Sequence, residues 1–250
     1  MTAAVALVGG LLVAGTEPAA ARGCGGRTVV LVHDVAATSA LVRPLAEAVR
    51  DGGRCVVAVD HGADGVLGLL GVGGMASLER SARQVGAAID RAAQGRRSVD
   101  VVAYGSGSLA VLRSLQSATA RRERVHAFVA VGGLWNGTNL AGLGDLDLAS
   151  RQAGTYGTAL AIEHVLLDPV CAVCRELITH SDFLTALQAR GLRTPGVSRT
   201  GVVSRDDGLV QPFTSGLVTG SRHVVVAGVN HVALPSSPTV TRAVRAALGP

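Results

Sequence analysis

Val99-Asp100-Val101-Val102-Ala103-Tyr104-Gly105-Ser106-Gly107-Ser108 is the stretch on which the chain hinges. Its first half is a β-branched run, which predicts a buried parallel strand. Small residues follow, and Leu109-Ala110-Val111-Leu112-Arg113-Ser114-Leu115 then has helical character. Strand, sharp turn and helix in this order make an elbow of the kind that lifts one side chain above a sheet for nucleophilic chemistry. The residues two before and two after the tip must be small, because the turn brings strand and helix together. Centred on Gly105, those positions are Ala103 and Gly107. Centred on Ser106, they are Tyr104 and Ser108, and Tyr104 is too large. The tip is therefore expected at Gly105, which reaches positive φ without penalty but carries no nucleophile. The plain alternative is a Gly/Ser connection between a strand and a helix.

On either side of this stretch, strands and helices alternate. Arg27 to Val32 reads as a strand ending at His33-Asp34, Leu41 to Val49 as a helix, and Cys55 to Asp60 as a second strand. A Gly/Leu-rich loop over Gly62 to Gly74 leads to an amphipathic helix, Leu78 to Ala93. Its apolar stripe is Leu78, Ala82, Val85, Ala88 and Ile89. After the elbow, Val125 to Val131 is a strand. From Gly132 to about Pro169 the pattern loosens, as in an insertion lying over strand ends. Cys174 to Ala189 reads as one helix, Thr200 to Ser204 and His223 to Ala227 as strands, and Val240 to Leu248 as a closing helix. Such alternation predicts an α/β fold with a parallel sheet covered on both faces.

Composition narrows the class. The 250 residues suffice for one domain with a large core. Hydrophobic residues make up 48% and aromatics 2%, so Val, Leu and Ala must fill that core. The formal charge of +5 comes entirely from arginine, scattered and not interleaved with aromatics, which argues against a nucleic-acid groove. The run Ala3 to Gly15 with Ala19-Ala20-Ala21 after it reads as a secretory signal peptide over residues 1–22, too short for a stable membrane span. It departs from the usual pattern in having no Lys or Arg before the apolar run. The expected domain is then 23–250, located outside the cytoplasm. Four cysteines suit an oxidising compartment. Cys171 and Cys174 read as a local structural disulfide, with Cys24–Cys55 as a second bridge, and no further ligands suggest a metal site. Asn136-Gly137-Thr138 matches a glycosylation sequon and is taken as chance.

Nucleophile, acid and histidine in that chain order make a hydrolytic triad on such a sheet. After Gly105 the chain offers Asp207, just past the strand ending at Ser204, and His231, just past the strand ending at Ala227. Both positions are loops at strand carboxyl ends. A histidine there accepts the nucleophile's proton and an aspartate orients it. A solvated turn acid and an ordinary histidine are the plain alternatives.

Several blocks now add up to a resemblance. They are Val29-Val30-Leu31-Val32-His33, Cys55-Val56-Val57-Ala58-Val59-Asp60-His61-Gly62, Ser81-Ala82, Gly137-Thr138, Cys171-Ala172-Val173-Cys174 with Ser181-Asp182-Phe183-Leu184, and Ser204-Arg205-Asp206-Asp207 with Val210-Gln211-Pro212-Phe213-Thr214-Ser215. In this order the chain resembles the secreted bacterial triacylglycerol lipases of the α/β-hydrolase fold, the class 2 lipase family. The resemblance implies that fold, secretion, both disulfides, and hydrolysis of lipid esters as the ancestral activity, with no metal or organic cofactor. It maps the family's acid onto Asp207 and its histidine onto His231. Departures fall on the reaction centre. The family's Gly-His-Ser-x-Gly reads Ala103-Tyr104-Gly105-Ser106-Gly107, and its His-Gly beside the oxyanion hole reads His33-Asp34. The oxyanion position is expected at Asp34, Val35 and Ser106, where an inward Asp34 carboxylate would repel developing negative charge.

Two expectations follow. One is an inactive or impaired lipase-fold protein that binds a lipid or another apolar ester ligand. The other is an atypical esterase using Ser106, or less well Ser108, with His231 as base and Asp207 as its orienter. A third, slower route would let His231 and Asp207 activate water directly. In the first case Gly105→Ser is the expected rescue.

Overall fold

The computed structural model describes residues 26–63, 65–95, 98–139, 142–166 and 168–249. The expected signal peptide, 1–22, and Cys24 lie outside the described residues. The strands are β1 (Val29–Val32), β2 (Val56–Val59), β3 (Val99–Tyr104), β4 (Val125–Val131), β5 (Ser198–Ser204) and β6 (Arg222–Val226). The helices are α1 (Arg43–Asp51), α2 (Gly65–Leu69), α3 (Leu78–Ala92), α4 (Gly107–Ser117), α5 (Thr119–Glu123), α6 (Leu143–Gln152), α7 (Tyr156–Leu166), α8 (Asp168–Glu176), α9 (Asp182–Ala189) and α10 (Pro238–Leu248).

The strands form one sheet in the order β2-β1-β3-β4-β5-β6, and every pair is parallel. Alternation along each strand builds two cores. Val30, Val32, Val101, Ala103, Phe128 and Ala130 face α3 and α4, and Val29, Leu31, Val102, Tyr104, Val129 and Val131 face α1 and α10. Both faces being covered, β1 and β3 are apolar throughout except at Asp100, as central parallel strands must be.

The strand order also locates the site. The chain steps from β1 outward to β2, then returns past β1 to β3, so the connections leave β1 and β3 in opposite directions. The carboxyl ends of these two strands therefore flank a crevice, where sheets of this kind hold their ligands. His33-Asp34 follows β1 and Gly105 follows β3.

Two expected elements differ. The single helix over Cys174 to Ala189 is two helices, α8 and α9. Between them Ile178 bridges to Thr138, His180 takes a left-handed conformation (φ 71°), and Ser181 caps α9 by accepting from Leu184 N–H at 3.3 Å. The Gly62 to Gly74 loop contains the short helix α2, and the loosely patterned region after β4 holds α6 and α7. Cys171 and Cys174 are disulfide-bonded, and Cys55 is also in a disulfide. Among the described residues no helix is long and apolar enough to cross a membrane, and no group of three His, Cys, Asp or Glu side chains is placed to hold a metal ion.

Candidate active site

The loop after β1 is pinned by two histidines. His33 Nδ1 donates to the Asp34 carbonyl (2.7 Å), and its Nε2 accepts from His61 N–H (3.3 Å). The His61 ring stacks on His33 at 4.2 Å, and its Nε2 donates to the His33 carbonyl (3.0 Å). Burial lowers the pKa of both. For His61 the neighbouring His33 adds to the effect, bringing it down to about 4. Both rings are thus neutral at ordinary pH and act as hydrogen-bonded struts under the Asp34 backbone.

Those struts turn the Asp34 side chain inward, 4% exposed. Across the crevice, Gly105 forms the elbow tip at φ 53°, and its N–H donates to the Val131 carbonyl (2.9 Å). A side chain at residue 107 would collide with the His33 carbonyl, so only glycine lets α4 pass this close to β1. A Cβ on Gly105 would collide with the Asp34 carboxylate. The carboxylate of one loop therefore stands in the space into which the tip residue of the elbow would project.

Asp34 is bonded at both oxygens. Its Oδ1 accepts from Val35 N–H and from Ser106 N–H, each at 2.7 Å. Its Oδ2 lies 3.0 Å from His231 Nε2. On the far side of the imidazole, Asp207 receives Nδ1 at 2.8 and 2.9 Å, and its Oδ1 accepts from Leu209 N–H (2.8 Å) and Val210 N–H (2.9 Å). The structure thus brings Asp34, Val35, Gly105, Ser106, Asp207 and His231 together. Ser106 differs from the esterase expectation: its Oγ accepts from Val35 N–H (2.8 Å), while His231 Nε2 faces Asp34. Tyr104, the bulky residue beside the elbow, points to the α1/α10 face. Its hydroxyl donates to the His231 carbonyl (2.9 Å), and the two rings stack at 5.1 Å.

Burial would lower the His231 pKa, but hydrogen bonds and charge from Asp207 and Asp34 outweigh it and raise the group to about 9. Burial would raise the Asp207 carboxyl, but His231 and the two backbone N–H groups hold it below the usual range. Burial together with the Asp34 and Asp207 charges pushes the Tyr104 hydroxyl up, so it remains a hydrogen-bond donor. At neutral pH the centre is an imidazolium between two carboxylates, and in that state His231 has no lone pair with which to act as a base. The resemblance put Asp34 at the oxyanion position, where its effect depended on whether its carboxylate pointed inward, and did not give it as the partner of His231. Their meeting depends on two loops 197 positions apart.

No family model matches the sequence, and a search of curated proteins finds no match. Solved structures do match in shape. The chain is similar to Aspergillus fumigatus lipase B, with a TM-score of 0.65 and 15% identity over 87% of this chain, although it spans only 51% of that lipase. It is similar to the mature form of Bacillus licheniformis lipase BlEst2, with a TM-score of 0.64 and 13% identity over 89% of this chain and 91% of that one. A Paleococcus ferrophilus monoacylglycerol lipase aligns with a TM-score of 0.58 and 16% identity over 88% and 93% of the two chains. At these identities the likeness is one of architecture. Together with the six-stranded parallel sheet and its flanking helices, it shows that this chain has the α/β-hydrolase fold.

Proposed function

We propose that this protein is a lipase/esterase-type α/β-hydrolase, of the secreted bacterial class 2 lipase kind, in which acyl transfer through serine is closed. Gly105 stands at the nucleophile position of a degenerate elbow. His231 and Asp207 are the base and its orienting acid, and Val35 N–H and Ser106 N–H form the oxyanion hole. The observation that carries this reading is Asp34 Oδ1 at 2.7 Å from both of those N–H groups. An oxyanion hole works by offering preorganised donors to developing negative charge, and losing one donor costs about 10²–10³ in rate. Here both donors are already engaged by a carboxylate, and the base is protonated beside it. The ligand in this reading is a lipid or another apolar ester, and the Cys171–Cys174 disulfide supports an extracytoplasmic location.

Hydrolysis of short and medium p-nitrophenyl esters tests the reading. The wild type is expected to be inactive and unlabelled by serine-directed phosphonates. Gly105→Ser alone is expected to remain inactive, because the new side chain meets Asp34. The paired change Asp34→Gly with Gly105→Ser empties the donors and supplies a nucleophile, and is expected to hydrolyse esters with a phosphonate-labelled Ser at 105. Wild-type turnover that disappears in Ser106→Ala would instead establish the Ser106 esterase and overturn the proposal.

A further inference from the structure

The side chain that closes the serine route is itself placed as a nucleophile. We propose that Asp34 attacks the ring carbon of an apolar epoxide through Oδ2, forming a carboxylate ester that His231 and water then hydrolyse to a diol. The geometry divides the work between the two carboxylate oxygens. Oδ2 is the atom beside His231 Nε2, in the space above Gly105. Oδ1 rests on Val35 N–H and Ser106 N–H. Once Oδ2 is alkylated, Oδ1 becomes the carbonyl oxygen of an ester, already held by two donors that polarise it. The same contacts that block an external oxyanion would activate an internal ester. Carboxylates are established covalent nucleophiles, and this one has the fixed base–orienter pair that such chemistry needs.

The steps balance. Oδ2 forms a bond to the less hindered ring carbon, the ring C–O bond breaks, and its electron pair goes to the epoxide oxygen. That oxygen takes the proton from His231 Nε2, leaving a β-hydroxyalkyl ester and neutral imidazole. Esterification removes one of the two negative charges flanking His231, which lowers its basicity. Water then adds to Asp34 Cγ and gives a proton to His231, with Asp207 holding the ring. The tetrahedral centre expels the diol oxygen, which takes that proton back. The carboxyl proton returns to His231, and the net reaction is epoxide plus water to diol.

Two chemical arguments select this substrate class. Attack by a carboxylate on an ester would give an anhydride, whose carboxylate leaves more readily than the alkoxide, so the step reverts. An alkyl halide needs an anion-binding site for its leaving group, and the two N–H donors are occupied by Oδ1. An epoxide needs a proton instead, and the imidazolium beside Oδ2 has one.

The proposal rests on the serine route being closed, and the ester assays decide that separately. Purified full-length protein in excess is mixed with 1,2-epoxyhexane in heavy-oxygen water for a single turnover. The expected first product is a diol without heavy oxygen, with one heavy oxygen appearing in the peptide that contains Asp34. Asp34→Asn is expected to carry no label and lose turnover to background, and His231→Gln, which lacks the proton donor of the first step, to lose turnover as well. Heavy oxygen in the first-turnover diol, or neither adduct nor label at Asp34 in folded wild type, overturns the proposal. Either result leaves the ester assays untouched.

Discussion

Asp34 and His231 set the charge state of the centre, and pH reads it out. The folded-state value of His231, about 9, lies above the ordinary 6.5. A group raised in this way contributes stability fully below its unfolded value and loses it as pH rises through its folded value. The shift corresponds to about 3 kcal/mol at 1.36 kcal/mol per unit, in a ring that is almost wholly buried. Thermal melting is therefore expected to fall as pH climbs from 6.5 through about 9. Asp34→Asn keeps an acceptor for Val35 N–H and Ser106 N–H but turns an amide toward Nε2. In that variant the His231 titration followed by NMR is expected to move well down, and the alkaline loss of stability to flatten. An unchanged titration would show that Asp207 alone sustains the imidazolium.

Among the elements, the elbow rests on Gly107 as much as on Gly105, because α4 passes against the His33 carbonyl there. Gly107→Val is expected to force the helix off the sheet and destabilise the protein by about 1–3 kcal/mol, the usual range for overpacking, read as a lower denaturation midpoint. This was legible in advance: the small residues flanking position 105 set the frame of the turn, and the buried runs of β1, β3 and β4 set the strands. The break between α8 and α9 was not. Apolar spacing continues across residues 174–189, so helical periodicity runs through it. What interrupts it is the pairing of Ile178 with Thr138, a contact between distant segments. The local clue was Ser181, whose side chain caps α9. Ser181→Ala is expected to cost about 1 kcal/mol in equilibrium unfolding.

Across the whole molecule, charge is buried at both ends of the sheet for different purposes. At the amino ends of the strands Asp100 is wholly buried. It pairs with Arg54 at 2.6 Å, Arg27 at 3.3 Å and His126 at 3.0 Å, and Arg54 also holds the carbonyl of Leu248. This clamp ties β3 to the end of α10. Removing Asp100 leaves Arg54 buried without that partner, which typically costs about 3–5 kcal/mol. Asp100→Ala is expected to lower the denaturation midpoint steeply while leaving the His231 titration unchanged, since the two centres occupy opposite ends of β3. A shifted titration would show that the ends of the sheet are coupled.

Strand and helix periodicity, the sterics of Ala103-Tyr104-Gly105-Ser106-Gly107, and the chain order of Gly105, Asp207 and His231 were all present in the sequence, the first two because they depend on neighbours a few residues apart and the third because it is read directly along the chain. The sequence also identified Asp34 as out of place. Where its carboxylate goes was decided only by the tertiary structure. The strand order brings the ends of β1 and β3 face to face, the His33–His61 stack turns Asp34 inward, and the loops after β5 and β6 deliver Asp207 and His231 to meet it. Periodicity reports which face a residue takes. Which charges share a desolvated space depends on contacts between distant segments, and here those contacts fix the protonation of the histidine and the occupancy of the donors.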